Sequence, residues 1–110
     1  MYSSILNDVK KALNIGPDDD SFDLDIVMHI NSAFTILDDL GVSTPTGQYT
    51  IDDATAKWSD LGFPDIRALR SYIVAQVRIW FDPPSNSFVQ TALEKQLSEL
   101  QWRIERRANV

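Results

Sequence analysis

A chain of 110 residues with a net charge of −6 and no cysteine is one domain's worth of sequence, residues 1–110, able to bury an ordinary core unaided. The missing cysteines exclude disulfides, thiolate zinc sites and cysteine nucleophiles, and the acidic balance argues against a general nucleic-acid binder, whose affinity comes mostly from Lys and Arg. No apolar run approaches the roughly 20 residues that a membrane helix needs, and the opening MYSSILNDVKK lacks the charged-then-apolar order of a signal peptide, so a soluble protein is expected, intracellular or drawn from an intracellular pool.

Helical periodicity dominates the chain. Ile5, Val9 and Leu13 recur every fourth residue, which predicts an amphipathic helix over about residues 3–14, stopped by Gly16-Pro17. Asp18, Asp19, Asp20 and Ser21 are helix-capping residues, and Asp23 and Asp25 follow where carboxylates meet the positive end of a helix dipole. A second helix is therefore expected from near residue 21. Its apolar stripe is Phe22, Ile26, Val27, Ile30, Ala33, Phe34, Leu37 and Leu40, with Gly41 as the stop. Residues 42–50 contain STPTGQ, have no periodicity and are rich in turn formers, so they form a loop, with Tyr49 to Ile51 able to make a very short strand.

Asp52-Asp53 is expected to cap a brief helix that carries Trp58 and Leu61 and ends at Gly62. The third long helix starts at Pro64, a favoured first-turn residue, and runs through Ile66, Leu69, Ile73, Val77 and Trp80. Asp82-Pro83-Pro84 ends it, because the prolines lack backbone donors and restrict the residues before them. Ser85, Asn86 or Ser87 caps a last helix that continues to about Arg107. The architecture expected is all-α: a small bundle of about four helices, one irregular loop and a long C-terminal helix.

The last helix has two apolar faces. At about 100° per residue from Phe88 at zero, Val89, Leu93, Leu97, Leu100 and Ile104 fall between about 100° and 180°. Phe88, Ala92 and Trp102 lie on the other side. A lone tryptophan there leaves a large apolar area in water unless something covers it: the first helix, the 42–50 loop, or another subunit. Trp and Arg are enriched at the energetic centres of interfaces, and Arg103, Arg106 and Arg107 stand beside Trp102. Charge is also divided along the chain: twelve acids face three lysines through residue 65, whereas four acids face seven bases after it. Either this is ordinary surface variation, or the acidic part of one copy meets the basic part of the next, fixing register.

Catalytic and metal readings fail on spacing. DDDSFDLD lacks the mid-loop Gly and the terminal Glu of a calcium loop, so capping is preferred. His29 is the only histidine and reads as partly buried and structural, with no second His or Cys to complete a site. Glu94 and Glu99 are about 140° apart around the helix and cannot jointly hold a metal. No cofactor, metal or catalytic residue is expected. Two alternatives stay open: a soluble helical adaptor or regulator, and a small magnesium-dependent all-α hydrolase whose carboxylates would converge from different helices.

Four segments in order, INSAFTILDDLGV (30–42) flanked by His29, WSDL (58–61), VRIWFDPPSNSF (77–88) and ALEKQLSELQWRI (92–104), resemble the head-tail connector proteins of long-tailed bacteriophages, also called adaptor or head-completion proteins. The resemblance covers about residues 20–105, and its most specific part is the FDPP turn with the helix after it. It implies a virion protein at the head-tail interface, assembled in the host cytoplasm, without catalytic residues. Such proteins form a ring beneath the portal, twelvefold to match it, and present a docking surface for a further connector, stopper or tail-terminator protein. DNA passes through without sequence-specific binding, and no membrane is involved. Under that resemblance Phe88, Trp102, Arg103, Arg106 and Arg107 become candidates for subunit or portal contact. Asp82, Pro83 and Pro84 become a rigid interhelix turn, Asp18, Asp19 and Asp20 become channel-facing candidates, and loop 42–50 becomes a channel-facing or tail-facing segment.

Overall fold

Local hydrogen-bond chemistry decides where each helix begins and ends in a computed structural model that describes residues 4–41, 49–63 and 66–108. Helix α1 covers Ile5–Ala12, α2 Asp23–Asp39, α3 Ile66–Phe81 and α4 Ser87–Ala108, with a 3-10 turn at Trp58–Leu61. No strand forms among the described residues; Ser4 and Lys57 make an isolated antiparallel bridge. The expected all-α architecture is what the chain adopts.

Helix α1 is shorter than expected at both ends. Ser4 caps it, its hydroxyl accepting the Asn7 N–H at 3.2 Å. At the other end Asn14 turns left-handed (φ 62°), and the N–H groups of Asn14 and Ile15 return to the carbonyls of Lys11 and Lys10. Asparagine tolerates that conformation and closes the helix ahead of Gly16-Pro17. Ile5, Leu6 and Val9 are buried.

Two expected caps are replaced. The residue before α2 is Phe22, which provides no side-chain cap. Asp19 instead accepts the Ser21 N–H, and the Asp23 carboxylate pairs with Lys10 Nζ at 2.8 Å. Lys10 is only 1% exposed, so its stem lies in the core while its ammonium reaches Asp23 and donates to the Pro17 carbonyl. Likewise Asp53 does not cap the 3-10 turn but accepts from the Thr55 N–H and hydroxyl; Asp60 serves there, accepting the Lys57 N–H at 3.0 Å. Gly62 (φ 63°) and Gly41 (φ 86°) end their helices as expected, in the left-handed region that favours glycine.

The short strand expected at 49–51 is absent because a side chain satisfies its peptide. Asn31 Nδ2 donates to the Ile51 carbonyl at 2.9 Å and Asn31 Oδ1 accepts the Ile51 N–H at 2.8 Å. Ile51 is thereby pinned to α2 and buried, and Tyr49 packs edge-on against Phe34. Residues 42–48 and the expected start of α3 at Pro64 lie outside the described residues.

Helix α3 is the spine. Ala68, Leu69, Tyr72, Ile73, Ala75 and Val77 are buried because α1, α2 and α4 all pack against it. Helix α4 packs chiefly on α3, with Leu97 and Ile104 buried and Leu100 partly so. At about 1.5–3 kcal/mol per buried aliphatic side chain, that stripe is enough to hold α4 in place.

Candidate functional site

The far face of α4 is uncovered. Phe88 is 85% exposed and Trp102 59% exposed, and Ala92 between them is also exposed. Among the described residues neither α1 nor any loop buries this face. Val89, expected in the inward stripe, is 45% exposed, since it stands at the helix start beyond the reach of the core.

Arg106, one turn on from Trp102, stacks its guanidinium 4.8 Å from the indole centre. A cation over an aromatic face is attracted by the ring quadrupole, by about 0.5–1 kcal/mol at an exposed site. Arg103 is exposed beside it. The side chain of Arg107 lies outside the described residues. The arrangement can do one thing well chemically: offer an exposed apolar anchor with a guanidinium stacked on it.

The turn between α3 and α4 is defined at both of its ends. Helix α3 closes at Phe81, with the Asp82 N–H bonded to the Arg78 carbonyl. Asp82 and Pro83 are exposed and Pro84 is half-buried. Of the three expected capping candidates Asn86 is the one used: its Oδ1 accepts the Phe88 N–H at 2.8 Å and the Val89 N–H at 3.4 Å. Only residues 82–86 separate the two helices, and Pro83 and Pro84 among them lack backbone donors and restrict the torsions of the connection.

Asp18, Asp19 and Asp20 are all exposed on the turn before α2. The Ser21 hydroxyl and N–H stabilise the Asp19 carboxylate and lower its pKa. His29 is half-buried as expected, its ring tilted over Trp80 at 5.8 Å and edge-on to Phe81, with Phe22 also against Phe81. It is a packing residue between α2 and α3.

Three features carried no signal in the sequence. Asp8 accepts a two-pronged contact from Arg70, with Nη2 at 2.9 Å from Oδ1, and the Trp58 indole N–H at 3.0 Å, tying α1, the 3-10 turn and α3 together. Burial alone would raise the Asp8 pKa, but the hydrogen bond and charge of Arg70, with the Trp58 N–H, outweigh it and hold the carboxyl below its ordinary value. Second, Leu24 and Met28, which lie off the expected stripe of α2, are 74% and 59% exposed. Third, an open recess of about 390 Å³ lies between α2 and residues 52–54, where Leu24, Val27, Leu6 and Ala54 meet Asp23, Asp52 and Asp53. A side-chain row one position off a buried stripe shows itself only once the helix's rotation is known.

Among the described residues no three carboxylates or His come within metal-binding reach of one another, and no helix is long and apolar enough to cross a membrane. A protein-family model described as phage connector protein matches residues 5–109. No curated protein and no solved structure matches the chain.

Proposed function

The chain belongs to the phage connector protein family, and from that membership we propose that it is a structural subunit of the virion neck, forming a ring beneath the portal through which DNA passes. The observation that carries this is the extent of the match: residues 5–109 include all four helices. The protein works by assembly rather than by chemistry. Its partners are further copies of itself, twelve if the ring follows the portal, then the portal, and on the other side a further connector, stopper or tail-terminator protein.

The exposed α4 residues Phe88, Trp102, Arg103 and Arg106, joined by Arg107, supply the contact between copies. An apolar face left in water costs free energy that a neighbouring subunit recovers. Different patches meeting head to tail close into a ring when the rotation permits. The test is direct. Purified chain mixed with its cognate portal should elute as one large species whose mass, by light scattering, exceeds that of the portal by several subunits; two separate peaks at all ratios would contradict the proposal.

Asp82, Pro83 and Pro84 fix the angle at which α4 leaves the bundle, and small angular errors accumulate around a closing ring. Pro83→Ala combined with Pro84→Ala should therefore reduce assembly on the portal at least tenfold while shifting the melting temperature by only a few degrees. A fully assembling double variant that melts much earlier would make the turn a folding device alone.

Asp18, Asp19 and Asp20 line the channel, where carboxylates repel DNA phosphates and let the duplex slide. Reversing all three to Lys should slow DNA ejection or retain DNA in the head. Normal ejection kinetics from particles that contain the variant would remove them from the channel.

A further inference from the structure

We propose that the acidic recess between α2 and residues 52–54 is the socket for the Trp102–Arg106 pair of the neighbouring copy. This deepens the ring proposed above and rests on it. The recess is lined by the buried Leu6 and Val27, the exposed Leu24 and the half-buried Ala54, together with Asp23, Asp52 and Asp53; Asp52 and Asp53 are exposed. Its volume of about 390 Å³ accommodates an indole and the methylene stem of an arginine. The opposite surface is its chemical counterpart: an exposed indole with Arg106 stacked on it at 4.8 Å and Arg103 alongside. Apolar area meets apolar area, and two guanidinium groups arrive at two carboxylates, the pairing for which arginine's planar donor fork is suited.

The occupant is a second copy because both halves of the contact belong to one chain. The recess is built from α1, α2 and the 52–54 segment, while Trp102 stands on α4, which packs chiefly on α3. A subunit does not fill its own socket, since its Trp102 remains 59% exposed. Each copy thus carries one plug and one socket on different elements, the condition for a head-to-tail chain that closes. The division of charge gains a purpose as well: the socket lies in the acidic part of the sequence and the plug in the basic part.

The lack of native cysteines makes the test clean. Arg103→Cys and Asp53→Cys place thiols at two exposed positions that bury no side chain, and a short bismaleimide then joins them if they adjoin. In portal-assembled rings the double variant should give a ladder of cross-linked multimers on a denaturing gel. A mixture of the two single variants should stop at dimers that contain one of each. Cross-linked dimers from Arg103→Cys alone would mean that α4 faces α4 and would overturn the socket. Rings of normal mass with no cross-linking would also overturn it, while leaving the connector role standing. Failure of the wild-type chain to join the portal at all would remove both.

Discussion

Replacing Trp102 by alanine should abolish ring assembly on the portal while leaving the subunit folded. The indole is 59% exposed and carries a cation–π stack with Arg106, so its loss costs the isolated chain no more than about 1 kcal/mol. At an interface the same side chain is worth about 2–4 kcal/mol per contact, and every subunit boundary in a ring repeats the loss. The contrast is with Ile104→Ala, two residues along the same helix. Ile104 is fully buried, and its truncation should cost about 2–5 kcal/mol of folding stability, a drop of roughly 10 °C or more for a domain of this size. Thermal unfolding and light scattering on the two variants should therefore give opposite answers. A Trp102→Ala protein that melts like Ile104→Ala, or one that assembles normally, would return Trp102 to a structural or incidental role.

The largest effect on stability from an unsuspected residue is expected at Asp8. Asp8→Ala leaves the Arg70 guanidinium and the Trp58 indole N–H without their shared acceptor, and Trp58 is 1% exposed. The cost should be about 2 kcal/mol, less than for a fully buried pair because the Arg70 side chain is 28% exposed and partly screened by water. The pH dependence has a definite sign. The folded carboxyl titrates below its ordinary value of 3.8, so the stabilisation is present above about pH 4 and is lost as pH falls through the folded pKa. Wild type should thus lose stability on acidification below about pH 4 more steeply than Asp8→Ala. Parallel curves for the two proteins would show that the ion pair contributes nothing.

What the sequence disclosed followed physical range. Elements governed by neighbours three or four positions apart were legible: the inward stripe of α4 at Leu97 and Ile104, the stop at Gly41, the end of α3 before Pro83, and the uncovered Trp102 opposite the stripe. Caps were less so, because an aspartate can bond either to a helix start or to its own turn. Asp19 and Asp53 chose Ser21 and Thr55, and Asp60 and Asn86 did the capping. Contacts between distant positions were invisible. Asp8 with Arg70, and Asn31 with Ile51, are separated by 62 and 20 residues, and neither pair belongs to any periodic pattern. The burial of Lys10 and its pairing with Asp23 likewise belong to no periodic pattern. The recess was hidden for the same reason, since its walls come from residues 6, 23, 24, 27 and 52–54 together.

The connector account can be tested at its centre by cryo-electron microscopy of the virion neck, in particles that carry this chain. It predicts a closed ring of the chain seated against the portal, α4 of each copy lying on the α2 side of the next and Trp102 buried at every boundary. A neck without the chain, or a ring in which Trp102 faces solvent at every boundary, would contradict it.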